Sequence, residues 1–349
     1  MTRGSSSGEG GDAIFERCRW PPRPGFGIVQ LVKPLARRSF LQALAGAAAL
    51  GSDPGARADE SEGKPINADL LASRTPPDLR VIDLSLEGDK RLATRVAIFV
   101  PNHLAKDEKV PLLVLLHGLG ETWDQGVGAF AWVERYGLGN AYARLRRAPV
   151  ARTSRQVSLL PDARLADLNA SLVARPFRGV AIACPYTPNV AKMPDPAAAL
   201  DSYAAWIANV VVPRAQREAP VFTDAAHTSL DGVSLGGYLA IEVFCRYPEV
   251  FGALGCVQSA MTALKVSVYV ERIAAIQAAA IKAGRPRPEL HIETTLADPM
   301  YARNLAFATE LTRRGIANEF VALPGQHDQA FLCESGSMEM LLWHDRRPR

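Results

Sequence analysis

The chain has 349 residues, 48% hydrophobic and 22% charged, an ordinary globular composition with enough apolar material for a large core. Its net charge of +4 lies wholly in residues 1–58, where eight Arg/Lys face four Asp/Glu; the remainder is formally neutral. No basic block with interleaved aromatics follows, which excludes a nucleic-acid partner, and the five cysteines form no C-x-x-C and no His/Cys cluster at ligand spacing, so neither a metal nor a cofactor is expected.

Residues 1–34 are rich in Gly, Ser, Pro and Arg and carry no periodicity. Ala36-Arg37-Arg38-Ser39-Phe40-Leu41-Gln42, followed by the weakly apolar, alanine-rich Ala43 to Leu50, resembles a twin-arginine export signal. Ala56-Arg57-Ala58 supplies a small-x-small cleavage site, with a mature start near Asp59. The apolar run from Phe40 to Leu50 is too short to span a bilayer. The expected organisation is therefore a leader over 1–58, with its signal at 37–58, a polar, Pro-rich linker over 59–79, and one large domain over 80–349. The precursor's partner would be the twin-arginine export machinery, with no stable membrane span, and the mature protein would be periplasmic or secreted.

Val81 to Leu86 and Arg91 to Val100 partly alternate, predicting two antiparallel strands joined at Glu87-Gly88-Asp89. Val110 to Leu116 is apolar on both faces, the pattern of a central strand covered on both sides. It runs into His117-Gly118-Leu119-Gly120, where glycines let the backbone approach a ligand closely. Residues 121–178 hold Trp123, Phe130, Trp132, Tyr136 and the basic runs Arg144-Leu145-Arg146-Arg147 and Arg152 to Arg155. They read as an insertion over the sheet edge, either a lid or substrate wall or a surface elaboration with its own small core.

Gly179 to Pro185 is the next buried strand. A helix follows over Ala198 to Arg217, with Tyr203, Ile207 and Val210 on one face and a kink at Pro213. Ala226 to Leu230 is a short strand, and Tyr238 to Phe244 a buried helix after it. Ala253 to Val257 is a further strand ending at Gln258-Ser259. Tyr269, Ile273, Ile276 and Ala280 step at helical spacing until Gly284 and Pro286. Leu290 to Asp298 is a strand with an acid at its end. A helix over Met300 to Arg314 carries Leu305, Ala308 and Leu311 on one face, Asn318 to Leu323 is the last strand, and Pro324-Gly325-Gln326-His327-Asp328 the loop after it. Strands and helices alternate, which predicts an α/β fold with a mostly parallel central sheet flanked by helices on both faces. Cys184 and Cys256 fall in strands and Cys245 on a helix; a disulfide between Cys245 and Cys333 stays open for an exported protein.

Between the strand at Ala226 to Leu230 and the helix at Tyr238 lies Gly232-Val233-Ser234-Leu235-Gly236-Gly237. A serine lifted out of a tight strand-to-helix turn needs small neighbours two before and two after it. Its hydroxyl is a weak nucleophile at neutral pH without a base, and the base needs an orienting carboxylate. In open α/β sheets such groups gather at the carboxyl ends of strands. Ser234, Asp298 and His327 sit at such ends in the order nucleophile, acid, base. Of the six histidines, only His327 lies in a loop after the final strand: His103 and His117 precede the turn, His227 begins its strand, His291 is inside a strand, and His344 is in the tail. Among the acids Asp298 is preferred over Asp328, adjacent in sequence to His327, and over Asp231, inside the strand before the turn. The Leu119 and Leu235 N–H groups are the expected oxyanion donors.

With these residues in view the chain resembles the esterase D and feruloyl-esterase type of α/β-hydrolase, whose relatives include S-formylglutathione hydrolases, enterobactin esterases and mycolyltransferases. The resemblance rests on His117-Gly118-Leu119-Gly120, Gly232 to Gly237, Tyr247-Pro248-Glu249-Val250-Phe251-Gly252 and Pro324 to Asp328, and covers roughly Val81 to Trp343. It implies an α/β-hydrolase fold and a serine esterase that cleaves a carboxylic ester of a small molecule or a carbohydrate. The alternatives are an acyltransferase of the mycolyltransferase type and a non-catalytic hydrolase-fold binding protein. The stretch 121–178 is longer and more basic than the family pattern, so no acyl pocket carries over.

Overall fold

The computed structural model describes residues 74–347; the leader, its signal and linker residues 59–73 lie outside them. Eight strands form one sheet in the order β1-β2-β4-β3-β5-β6-β7-β8. They are β1 (Leu79–Ser85), β2 (Arg95–Pro101), β3 (Leu112–Leu116), β4 (Ala181–Pro185), β5 (Thr228–Gly232), β6 (Ala253–Val257), β7 (Glu289–Thr295) and β8 (Glu319–Leu323). β1 and β2 pair antiparallel, as do β2 and β4; every pairing from β4 to β8 is parallel. The expected strands are all present, with shifted ends. β2 starts at Arg95 because Leu92 and Ala93 donate their amides to the Asp89 carbonyl and prolong the turn. β3 starts after Pro111, whose missing N–H cannot join the ladder.

The helices are α1 (Gln125–Glu134), α2 (Leu138–Arg146), α3 (Asp162–Ala174), α4 (Pro196–Trp206), α5 (Val212–Glu218), α6 (Leu235–Arg246), α7 (Val266–Lys282), α8 (Tyr301–Arg313) and α9 (Ser337–Asp345). β3, β4, β5 and β6 are buried along their whole length. One core lies between the sheet and α4 to α8, with Val114, Leu230, Leu239, Tyr269 and Phe307; the other lies between the sheet and α1, α2 and α9, with Phe99, Leu113, Trp132, Tyr142 and Leu341. α4 and α5 are joined by a π-type turn at Ile207–Val211 that takes up the break imposed by Pro213. In α8 the buried residues are Asn304, Phe307, Ala308 and Leu311, whereas Leu305 is exposed; the helix is rotated from its expected phase because Phe307 takes the core position. No helix among the described residues is long and apolar enough to cross a membrane.

Residues 121–178 are not a wall over the sheet edge. Phe130 and Trp132 of α1 are fully buried in the same core as Phe99, Leu113 and Ile182 of the sheet, and Phe130 meets Phe99 edge-on at 6.0 Å. These helices are a layer of the fold. Three of their arginines pair with acids of this chain: Arg144 with Glu334 (3.1 Å), both side chains buried, and, nearer the surface, Arg147 with Asp78 (2.7 Å) and Arg152 with Asp162 (2.5 Å). The four cysteines among the described residues are free. Cys245 packs with the α4–α8 core and Cys333 lies against Gly137 beside α2, on the other face of the sheet, so the open disulfide does not form.

Candidate active site

β5 and α6 meet in a turn that forces Ser234 to φ 57°, ψ −114°. That backbone region is strained for a non-glycine residue and costs of order 1–3 kcal/mol. It persists because both flanks are over-determined. Val233 N–H donates to the Leu116 carbonyl and Ser234 N–H to the Val257 carbonyl, stitching the turn to β3 and β6. A Cβ on Gly232 would come within 2.5 Å of the Gly236 carbonyl carbon, and one on Gly236 within 2.6 Å of the His117 carbonyl oxygen. The smallness expected of both positions thus has a steric cause.

The structure brings Ser234, His327 and Asp298 together. His327 Nε2 lies 2.9 Å from Ser234 Oγ, and His327 Nδ1 lies 3.0 Å from Asp298 Oδ1. Asp298 sits in the turn three residues past β7 and is buried, while His327 is half-buried in the loop after β8. Further donors hold the carboxylate: the Thr294 hydroxyl donates to Oδ2 (2.8 Å) and Met300 N–H to Oδ1 (2.7 Å). Gln258, itself at φ 49°, donates through Nε2 to the Gln326 carbonyl (2.8 Å) and to Thr295 Oγ1 (3.0 Å), fixing the chain just before His327. Neither Thr294 nor Gln258 was visible as a site residue in the sequence; a polar residue inside or just after an apolar strand was the available signal.

The competing acids are engaged elsewhere. Asp328 caps the single helical turn Gln329–Phe331, accepting from Phe331 N–H at 2.9 Å. Asp231 is fully buried and its Oδ2 lies 2.9 Å from His344 Nε2. His344 is therefore core rather than tail.

Leu119 opens a short 3-10 turn after β3, and Leu235 opens α6 beside Ser234. First-turn amides have no acceptor within their own helix. The Gly118–Leu119 peptide is anchored at its carbonyl end. Thr187 N–H donates to His117 Nε2 at 2.8 Å, so Nε2 is the acceptor nitrogen and the ring proton is on Nδ1, which donates to the Gly118 carbonyl at 2.8 Å. Burial lowers His117 to about 4, which keeps that tautomer neutral. In a trans peptide the N–H points opposite to the C=O, so the clamped carbonyl fixes the direction of the Leu119 N–H.

Compared by sequence, the chain matches no protein-family model and no curated protein. By structure it is similar to a ferulic acid esterase, at 17% identity over 77% of this chain and 97% of that one, with a TM-score of 0.54. It is also similar to a feruloyl esterase module from Clostridium thermocellum complexed with sinapinate, at 11% identity over 83% of this chain and 96% of that one, TM-score 0.54. With the mostly parallel eight-stranded sheet and its two helix layers, these likenesses establish that the chain has the α/β-hydrolase fold.

Proposed function

We propose that the protein is a serine esterase that hydrolyses a carboxylic ester through an acyl-serine intermediate. The observation that carries this reading is the unbroken relay from Ser234 Oγ to His327 to Asp298, at 2.9 and 3.0 Å, mounted on a strained Ser234. Ser234 Oγ attacks the ester carbonyl carbon as His327 Nε2 takes its proton. The developing oxyanion receives the Leu119 and Leu235 N–H groups, a contribution of about 10²- to 10³-fold in rate for one such donor. The carbon–oxygen bond to the alcohol then breaks, and His327 returns the proton to the leaving oxygen. Water repeats the sequence and frees the acid. The names of the structural neighbours make esters of hydroxycinnamic acids the first substrates to try.

The test is covalent. A fluorophosphonate probe is expected to label the wild-type protein and to leave Ser234→Ala unlabelled; equal labelling of both would remove Ser234 from its role.

We further propose that the precursor is exported by the twin-arginine route and acts in the periplasm or outside the cell, on the strength of Arg37-Arg38 and the Ala56-Arg57-Ala58 site. Replacing both arginines by lysine is expected to leave the uncleaved precursor in the cytoplasm, as seen by fractionation. Unchanged export of that variant would count against the route.

A further inference from the structure

We infer that Tyr136 and Glu121 are positioning residues for the oxyanion loop, an inference that rests on the ester-hydrolase reading above. The loop Gly118–Leu119 has two peptide groups to hold. His117 clamps the carbonyl of the second. The amide of the first, Gly118 N–H, donates to the Tyr136 hydroxyl at 3.3 Å. That hydroxyl in turn donates its only proton to Glu121 Oε2. Glu121 ends the same short turn that Leu119 begins. A closed ring results: Gly118, Leu119, Gly120, Glu121, the phenol oxygen and back to Gly118.

The ring sits against the nucleophile. A Cβ on Gly118 would lie 3.0 Å from the Tyr136 oxygen and 3.8 Å from Ser234 Cβ. Both polar side chains are enclosed, Glu121 at 2% and Tyr136 at 5% exposure. A carboxylate in such a place is costly unless its oxygens are used; its partners here are the phenol and, at 3.8 Å, Arg135 Nε. The phenol is itself rigid. Its ring stands edge-on to Trp132 at 5.1 Å, its backbone carbonyl accepts from Ser337 Oγ at 2.7 Å, and its N–H donates to the Ala131 carbonyl. The pair therefore ties the oxyanion loop to the α1–α2 layer.

The direction of the hydroxyl proton gives each member its part. With the proton committed to Glu121, the phenol oxygen presents a lone pair to Gly118 N–H and has no proton for a substrate oxyanion. Tyr136 thus acts only through the loop. Glu121 fixes that direction: without an acceptor there, the buried hydroxyl must turn or shift to satisfy its proton elsewhere, and the lone pair it aims at Gly118 N–H moves with it.

The experiment measures the second-order rate of fluorophosphonate inactivation, together with kcat and KM for an ester, on active-site-titrated enzyme. Tyr136→Phe and Glu121→Leu are expected to slow inactivation and lower kcat by about tenfold to a hundredfold, with KM little changed, because a misaimed oxyanion donor weakens the transition state and not ground-state binding. Glu121→Gln, whose amide oxygen still accepts from the phenol, is expected to restore both rates to within about threefold of wild type. Should Tyr136→Phe not fold, the contrast between Glu121→Leu and Glu121→Gln carries the test with the ring in place. Wild-type rates in Glu121→Leu, or equal losses in the Leu and Gln variants, would overturn the inference. A wild type that is not labelled at all would remove the ester-hydrolase reading, and this inference with it.

Discussion

Replacing His327 by alanine is expected to lower kcat for ester hydrolysis by about 10⁶-fold, and replacing Asp298 by alanine by about 10⁴-fold. The difference follows from where each group stands. His327 Nε2 is the base within 2.9 Å of Ser234 Oγ, and without it the hydroxyl keeps its proton. Asp298 touches only the far nitrogen, so its loss leaves a base that is misaligned rather than missing. Asp298→Asn should be milder than Asp298→Ala. Met300 N–H requires an acceptor at the Oδ1 position, which keeps the amide oxygen there, facing His327 Nδ1. The Thr294 hydroxyl can rotate to accept from the amide nitrogen at the other position. The imidazole then holds its tautomer and loses only the neighbouring charge. Steady-state kinetics on active-site-titrated protein decide the matter. An Asn variant as poor as the Ala variant would mean that the amide is flipped, and a His327→Ala enzyme within tenfold of wild type would end the proposed mechanism.

The second large effect concerns stability and pH, and arises one residue before the elbow strand ends. Asp231, His291, Glu293 and His344 are all buried on the α9 face of the sheet. Alternation along the strands sends Leu230, Leu290 and Ile292 to the opposite core. Gly255 of β6 lies opposite His291, and a Cβ there would overlap the Asp231 carboxylate, so the glycine makes the room. Trp343 stacks on His291 at 4.9 Å. Burial raises Asp231 to about 7 and pushes Glu293 well up, while it lowers His291 to about 4 and pushes His344 well down. Each of the four shifts favours the uncharged form of its group, because burial penalises charge.

The sign for Asp231 is opposite to that of an ordinary surface carboxylate. Its folded value lies above its unfolded one, near 3.9, so the folded state binds the extra proton. The stabilisation is fully present below about pH 4 and is lost as pH rises toward 7. The histidines run the other way over pH 4 to 6.5, which masks the trend in the wild type. Comparison with Asp231→Asn isolates it, since the amide can still meet His344 and accept the Gly232 N–H now bonded to Asp231 at 2.6 Å. Urea unfolding from pH 4 to 8 is expected to show the wild type losing a few kcal/mol relative to Asp231→Asn between pH 4 and 7, then running parallel. Parallel curves throughout would mean that Asp231 is ionised in the fold.

Local pattern carried much of this protein. Apolar runs such as Leu112 to Leu116 and Ala253 to Val257 announced buried strands, because a strand covered on both faces has no polar alternation to show. The spacing of Gly232, Ser234 and Gly236 announced the elbow, because the turn itself brings Gly232 against Gly236, four residues on, although the carbonyls of Leu116 and His117 that also crowd Gly236 come from a distant strand end. Ser234, Asp298 and His327 could be chosen from their places after strands, since parallel topology delivers all strand ends to one edge. What stayed hidden depends on pairings across the chain. Phe130 and Trp132 read as part of a lid or of a surface elaboration with its own core until their sheet partners were known. Arg144 and Glu334 lie 190 residues apart, and Asp231 and His344 lie 113 apart. Tyr136 looked like one more aromatic in a poorly legible stretch, and only folding brings its hydroxyl to Gly118 and Glu121. Period and spacing report the contacts a residue makes within its own element; which distant side chain completes a buried hydrogen bond depends on how the layers pack.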